Sequence, residues 1–94
     1  MRFSNMDRRA VVAGRKCCAA RQEVEARPGD EFVVDGYRYR VLDVMPMPFH
    51  QWLFEFHRSE GFASWNDCLD GLEATCREIR PVMPVWVHFF ARCP

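Results

Sequence analysis

A chain of 94 residues, 49% of them apolar, can bury one small core and no more, so one domain spanning 1–94 is expected. Its 13 basic and 13 acidic residues cancel, which excludes a general polyanion binder, and its eight phenylalanines and three tryptophans exclude a disordered chain. No apolar run approaches the ~20 residues of a transmembrane helix, and five cysteines, with Cys17 and Cys18 adjacent, do not suit a disulfide framework. With no signal-peptide pattern ahead of them, they read as buried free thiols of a soluble, cytoplasmic protein without a membrane partner. The chain has no Cys-x-x-Cys knuckle, so neither a metal site nor a cofactor is expected.

The first element in chain order is a short helix, capped by Ser4 or Asn5, running to about Ala13 and ended by Gly14. Met6, Ala10 and Ala13 form its apolar stripe. Residues 17–22 are expected to be extended, and Arg27-Pro28-Gly29-Asp30 is a turn by composition. Two β-rich runs then flank Asp35-Gly36, a pair that tolerates the positive φ angles of a type I′ turn, so residues 31–41 read as a hairpin. Met45-Pro46-Met47-Pro48 is expected to break the second strand. Phe49, Trp52, Leu53 and Phe56 recur at the spacing of a core-facing helix that Gly61 stops. Ser64 caps the next helix, whose face is Trp65, Leu69, Leu72, Cys76 and Ile79 and whose interior Gly71 costs about 1 kcal/mol relative to alanine. A closing strand, Val85 to Ala91, has bulky residues on both faces and so belongs in the middle of a sheet. The fold class is α+β, a curled, mixed, barrel-like sheet with helices packed at one side.

Charge is unevenly placed. Residues 1–21 hold Arg2, Arg8, Arg9, Arg15, Lys16 and Arg21 against Asp7 alone, a net +5 balanced by −5 on the remainder. Such an end suits a local anion site or a solvated basic helix face. Lys16 is the chain's only lysine, beside twelve arginines. Lysine offers what arginine lacks: a compact ammonium, and a proton it can lose when desolvated.

Four segments, in order, resemble the ASCH domain of the PUA-like superfamily of small β-barrels. Ala10-Val11-Val12-Ala13-Gly14-Arg15-Lys16, followed by Arg21, is similar to that family's Gly-x-Lys-Thr-x-Thr-x-Arg segment. Pro28-Gly29-Asp30-Glu31-Phe32-Val33-Val34 is similar to its Gly-Asp turn and strand. Glu60-Gly61-Phe62-Ala63-Ser64-Trp65-Asn66-Asp67 is similar to its Glu-Gly-Phe-x-Ser-x-Glu-Glu helix entry, and Val85-Trp86-Val87-His88-Phe89 to its last strand. The resemblance implies a cleft for RNA, a nucleoside or a nucleotide, lined by Arg15, Lys16, Cys17, Arg21 and Glu60. Arginine and lysine side chains after a helix end suit phosphate, and a small pocket suits a splayed base.

Some members of that family are amidohydrolases acting on N4-acetylcytidine, and ribonuclease activity is attributed to others. The resemblance then makes Lys16 and Glu60 the candidate catalytic residues. It places Ala19 where the proposed threonine nucleophile stands, so the same acyl-transfer route does not carry over. Cys17, at the motif's first threonine, is a substitute nucleophile if the adjacent cations lower its pKa, or else a packing thiol. Lys16 and Glu60 polarise a water, or form an ion pair that shapes the pocket. His50, His57 and His88 are expected to be structural, with His57 of interest for its closeness to Glu60. Arg38 and Arg40 read as a solvated strand face or an extension of an RNA track, Tyr37 or Tyr39 as a stacking platform, and the helical tryptophans as core. Three functions stay open: a binding module for RNA or a modified nucleoside, a small hydrolase, and an accessory domain for an unknown protein partner.

Overall fold

The computed structural model describes residues 1–73 and 80–94. In chain order they form α1 (Asn5–Val12), β1 (Cys18–Arg21), β2 (Glu31–Val34), β3 (Tyr37–Pro48), α2 (Phe49–Phe56), α3 (Trp65–Glu73) and β4 (Pro84–Arg92). The strands lie in the order β1-β4-β3-β2 and curl into a half-barrel. All three pairings are antiparallel, so the sheet is not the mixed one expected. β4 sits between two neighbours, which is why both of its faces are apolar.

Turn chemistry sets the first pairing. Asp35 and Gly36 take φ of 50° and 86°, and Val34 pairs with Tyr37 across them. β3 then continues through Met45-Pro46-Met47-Pro48, where a break was expected. β2 and its preceding turn accompany β3 only as far as Val41, so from Asp43 onward β3 bonds to β4 alone. A proline can sit on such an edge without removing a ladder bond. A bulge between Val41 and Asp43 marks the point where the partner is lost.

The sheet carries apolar clusters on its two faces. Cys18, Met47, Val85 and Val87 meet Phe49, Trp52 and Leu53 of α2 and Cys68 of α3. Ala19, Val34, Tyr39 and Phe90 meet Val11 of α1. Neighbouring residues of β1 therefore serve different clusters, as strand alternation requires. α1 is capped by the Ser4 hydroxyl, which accepts the Asp7 amide at 3.2 Å. Its buried residues are Ala10 and Val11, while Met6 is 74% exposed and Ala13 is exposed too, so only Ala10 of the expected Met6-Ala10-Ala13 stripe is buried. Contact between Val11 and the Tyr39–Phe90 cluster fixes the helix rotation instead.

α2 buries Phe49, Trp52 and Leu53 as its spacing demands but ends at Phe56, before Gly61. Single turns carry the chain from there to Gly61, whose φ is 99°. The Ser64 hydroxyl caps α3 by accepting the Asp67 amide at 3.2 Å. Cys68 is buried in that helix, whereas Trp65 is exposed and packs edge-on to Phe54. Trp65 is thus not core. Gly71 lies where a Cβ would come within 3.3 Å of the Phe62 ring, so a packing contact accounts for the glycine. Cys76 and Ile79, also assigned to this face, and the side chain of Leu72 lie outside the described residues.

Candidate functional site

Gly14 takes φ of 80° and turns the chain back beneath the end of α1. The amides of Arg15 and Lys16 both bond to the Ala10 carbonyl, at 2.9 and 3.1 Å. This sends the Arg15 side chain outward and buries Lys16 to 3% exposure. The Ser59 carbonyl accepts the amides of Cys17 and Cys18 at 2.7 and 3.3 Å, tying the segment to the loop that carries Glu60. A Cβ on Gly61 would lie 3.4 Å from Ala10 Cβ and 3.6 Å from Lys16 Cβ, so the loop is packed against both.

These contacts bring Lys16 and Glu60 together across 44 residues of sequence. Lys16 Nζ donates to Glu60 Oε1 in an ion pair closed from solvent. The carboxylate's other oxygen accepts the Trp52 indole N–H at 3.0 Å and the Cys18 thiol at 3.5 Å. Three donors for one buried carboxylate offset a desolvation cost that an ion pair alone does not cover. Burial pushes the Cys18 thiol up, and the negative charge of Glu60 adds to this against the opposing pull of Lys16. The same causes in the same order push Cys68 up to about 12.

Cys18 was not among the sequence candidates, yet it is the cysteine that reaches Glu60; Cys17 is exposed. Ala19 belongs to the cluster on the other face of β1. Strand alternation places Cys18 on the Glu60 side, a signal available once residues 18–21 are read as a strand. Nothing local pointed to Trp52 beyond its place on an apolar stripe. Arg15 is exposed and has no ion-pair partner among the described residues. Arg21 is engaged elsewhere, 2.7 Å from Glu25 and over the Phe3 ring.

The histidines have structural partners. His50 and His57 bond through Nδ1 to the carbonyls of Pro81 and Leu53. His88 is fully buried; its Nδ1 meets the carbonyls of Ala19 and Trp86, while Nε2 accepts the Glu25 amide at 3.0 Å. That pattern requires the Nδ1–H tautomer. Arg38 and Arg40 face solvent and contact Glu31, at 3.7 and 3.2 Å. Among the described residues, no three His, Cys, Asp or Glu side chains converge to hold a metal ion.

An open pocket of about 300 Å³ lies where α1 ends against β3 and β4. Gly14, Lys16 and Cys17 line it together with Arg92 and the apolar side chains of Val11, Tyr39 and Phe90. Lys16 is the shared wall between this pocket and the buried carboxylate. Tyr39 is 3% exposed, and its hydroxyl has no hydrogen-bond partner among the described residues. A buried group left in that state costs about 1–3 kcal/mol. The exposed Tyr37 ring is covered by the Arg92 guanidinium at 3.8 Å, so neither tyrosine presents a bare platform.

No protein-family model matches the chain, and no curated protein matches it. Among solved structures, an ASCH domain from Lactobacillus crispatus JV V101 is similar at 18% identity and a TM-score of 0.70. The alignment covers 94% of this chain and 70% of that one. Protein EF3133 from Enterococcus faecalis V583, of family DUF984, is similar at 20% identity and a TM-score of 0.65, with the same coverage of both chains. No helix among the described residues is long and apolar enough to cross a membrane. A half-barrel in the order β1-β4-β3-β2, with helices against it and these neighbours, gives the chain the fold of an ASCH domain, a PUA-like architecture.

Proposed function

We propose that the chain is a binding module for RNA or a modified nucleotide, taken up where the Gly14-Arg15-Lys16-Cys17 segment borders the pocket beside α1. The observation that carries this reading is that Gly14, Lys16 and Cys17 wall a pocket of about 300 Å³, with Arg15 exposed and unpaired among the described residues. A free guanidinium at the rim suits a phosphate, and an apolar interior suits a base. The volume is at the lower limit of small-ligand pockets, about 300–1,000 Å³.

Hydrolysis has weaker support. Lys16 and Glu60 satisfy each other away from solvent, and the position of the expected threonine is a buried alanine on the opposite face of β1. The thiol that does reach Glu60 is held protonated by burial and by that carboxylate, which disarms it as a nucleophile. Free thiols at Cys17, Cys18, Cys68 and Cys93 fit a reducing, cytoplasmic setting.

The test pairs binding with turnover. Purified protein is titrated with short RNAs and mononucleotides, and incubated with N4-acetylcytidine and the same RNAs. Binding that weakens with salt and with Arg15→Glu, without product, is the expected result. Product formation abolished by Lys16→Ala would establish a hydrolase instead. Affinity indifferent to Arg15→Glu and to Lys16→Ala would remove the segment from the site.

A further inference from the structure

One stretch of the sheet's edge is left without a neighbouring strand. β4 lies between partners, and the outer side of β1 is engaged, its Cys18 amide by the Ser59 carbonyl and its Ala20 carbonyl by Arg21 Nη1. β2 is only four residues long and opens on the exposed, charged Glu31. Residues 43–48 of β3, by contrast, have β4 on one side and no strand on the other. Leu42 and Met45 beside this edge are 57% and 43% exposed. An unpaired, partly apolar stretch of strand is a template for pairing with another chain unless something blocks it.

In an antiparallel pair each residue turns its amide and carbonyl together, either toward the partner strand or away from it. Val41 faces β2, since it bonds to Gly29 and Asp30, and the bulge before Asp43 resets the alternation. Pro46 and Pro48, opposite Trp86 and Pro84, have no N–H to give β4 and so turn outward, and Val44 turns outward with them. The Val44 amide is then the one outward donor of residues 43–48. It is already taken: Asp43 Oδ1 accepts it at 2.8 Å. The edge therefore presents carbonyls and no free N–H, and two copies of it cannot bond to each other. We infer that Asp43 and Pro46, with Pro48, guard this edge and keep a second copy of the chain from adding its own β3 to the sheet. With donors restored, antiparallel pairing would set Val44 against residue 46 of the second copy, and residue 46 against its Val44. Each pair would exchange two backbone bonds. The guard is independent of what the pocket beside α1 binds.

Sedimentation velocity up to millimolar protein, with amide hydrogen exchange on the same samples, tests it on the full chain. Asp43→Ala with Pro46→Val frees two donors on the edge and should self-associate at least about tenfold more tightly than the parent. Exchange of the amides at positions 44 and 46 should then slow as concentration rises, which places the contact at this edge. Asp43→Asn with Pro46→Val keeps an acceptor for the Val44 amide while removing the charge, and should associate less than the alanine double variant. Pro46→Val alone frees one donor and should fall between the parent and the alanine double variant. A double variant that associates no more than the parent would overturn the inference, as would association without slowed exchange at 44 and 46. Equal association of the asparagine and alanine double variants would overturn the role of the Asp43 bond. Should the double variant fail to fold, a natively folded Pro46→Val that gains no association would overturn the inference by itself. So would a parent that pairs through this edge, seen as slowed exchange at Val44 on concentration.

Discussion

Replacing Lys16 by methionine removes the ammonium and keeps most of the stem, leaving Glu60 charged and enclosed. The side chains of the pair are 2% and 8% exposed, so water cannot take over the lost contact. Breaking such a pair from one side costs about 3–5 kcal/mol. Here the Trp52 indole and the Cys18 thiol still donate to the second carboxylate oxygen, which argues for the lower end, about 3 kcal/mol. For a domain of this size that corresponds to a fall of roughly 12–24 °C in thermal midpoint. The second variant, Lys16→Met with Glu60→Gln, removes the charge while retaining an acceptor for Trp52, and about half the loss should return. Urea denaturation at neutral pH measures both, and raising NaCl from about 0.1 to about 0.5 M should change the difference little, since a buried pair is poorly screened. Lys16→Met within about 0.5 kcal/mol of the parent, the range of an ordinary surface substitution, would refute the reasoning. A double variant no more stable than the single would refute it too.

The cysteines should divide by burial. At mildly alkaline pH a thiol reagent followed by peptide mass analysis should label Cys17 at once and Cys18 and Cys68 only on unfolding; rapid labelling of Cys18 in folded protein would contradict its enclosure. Cys68 ionises near 9.0 when unfolded but near 12 when folded, so its contribution is complete below pH 9 and is lost as pH rises toward 12. Cys68 should therefore lower stability in that window by up to about 1.4 kcal/mol per pH unit, in addition to the share of Cys18, so that the fall is less steep in Cys68→Ala, as read from urea midpoints. An identical slope in the variant would exclude this linkage. Gly71→Ala should fail to deliver the usual helix gain of about 1 kcal/mol, because the new methyl meets the Phe62 ring; adding Phe62→Leu should release the gain. A full gain from Gly71→Ala alone would show that Phe62 yields freely.

Local chemistry was legible in the sequence where it acts over a few residues. The Asp35-Gly36 hairpin, the Ser4 and Ser64 caps, the Gly14 helix end and the Phe49-Trp52-Leu53 stripe all follow from turn, cap and period rules. The prolines misled because their cost depends on whether a neighbouring strand lies on that side, and β2 is too short to reach Pro46 and Pro48. The rotation of α1 and the exposure of Trp65 likewise depend on what packs opposite. At the site, the Lys16–Glu60 contact was expected through resemblance, and the structure joins those two side chains. Strand alternation could have put Cys18 on the Glu60 side, whereas Trp52 as a further donor to Glu60 and the unpartnered Tyr39 hydroxyl have no signature in the local pattern.

The most direct measurement of the central claim is a two-dimensional amide NMR titration of isotope-labelled protein with the mononucleotide that binds and with a short RNA. Binding beside the Gly14-Arg15-Lys16 segment should move the amides of Val11 to Cys17 together with those of Tyr39 and Phe90 to Arg92, the three stretches that line the pocket. Shifts confined to another face, such as the Phe54–Trp65 pair, or no shifts at millimolar ligand, would contradict it.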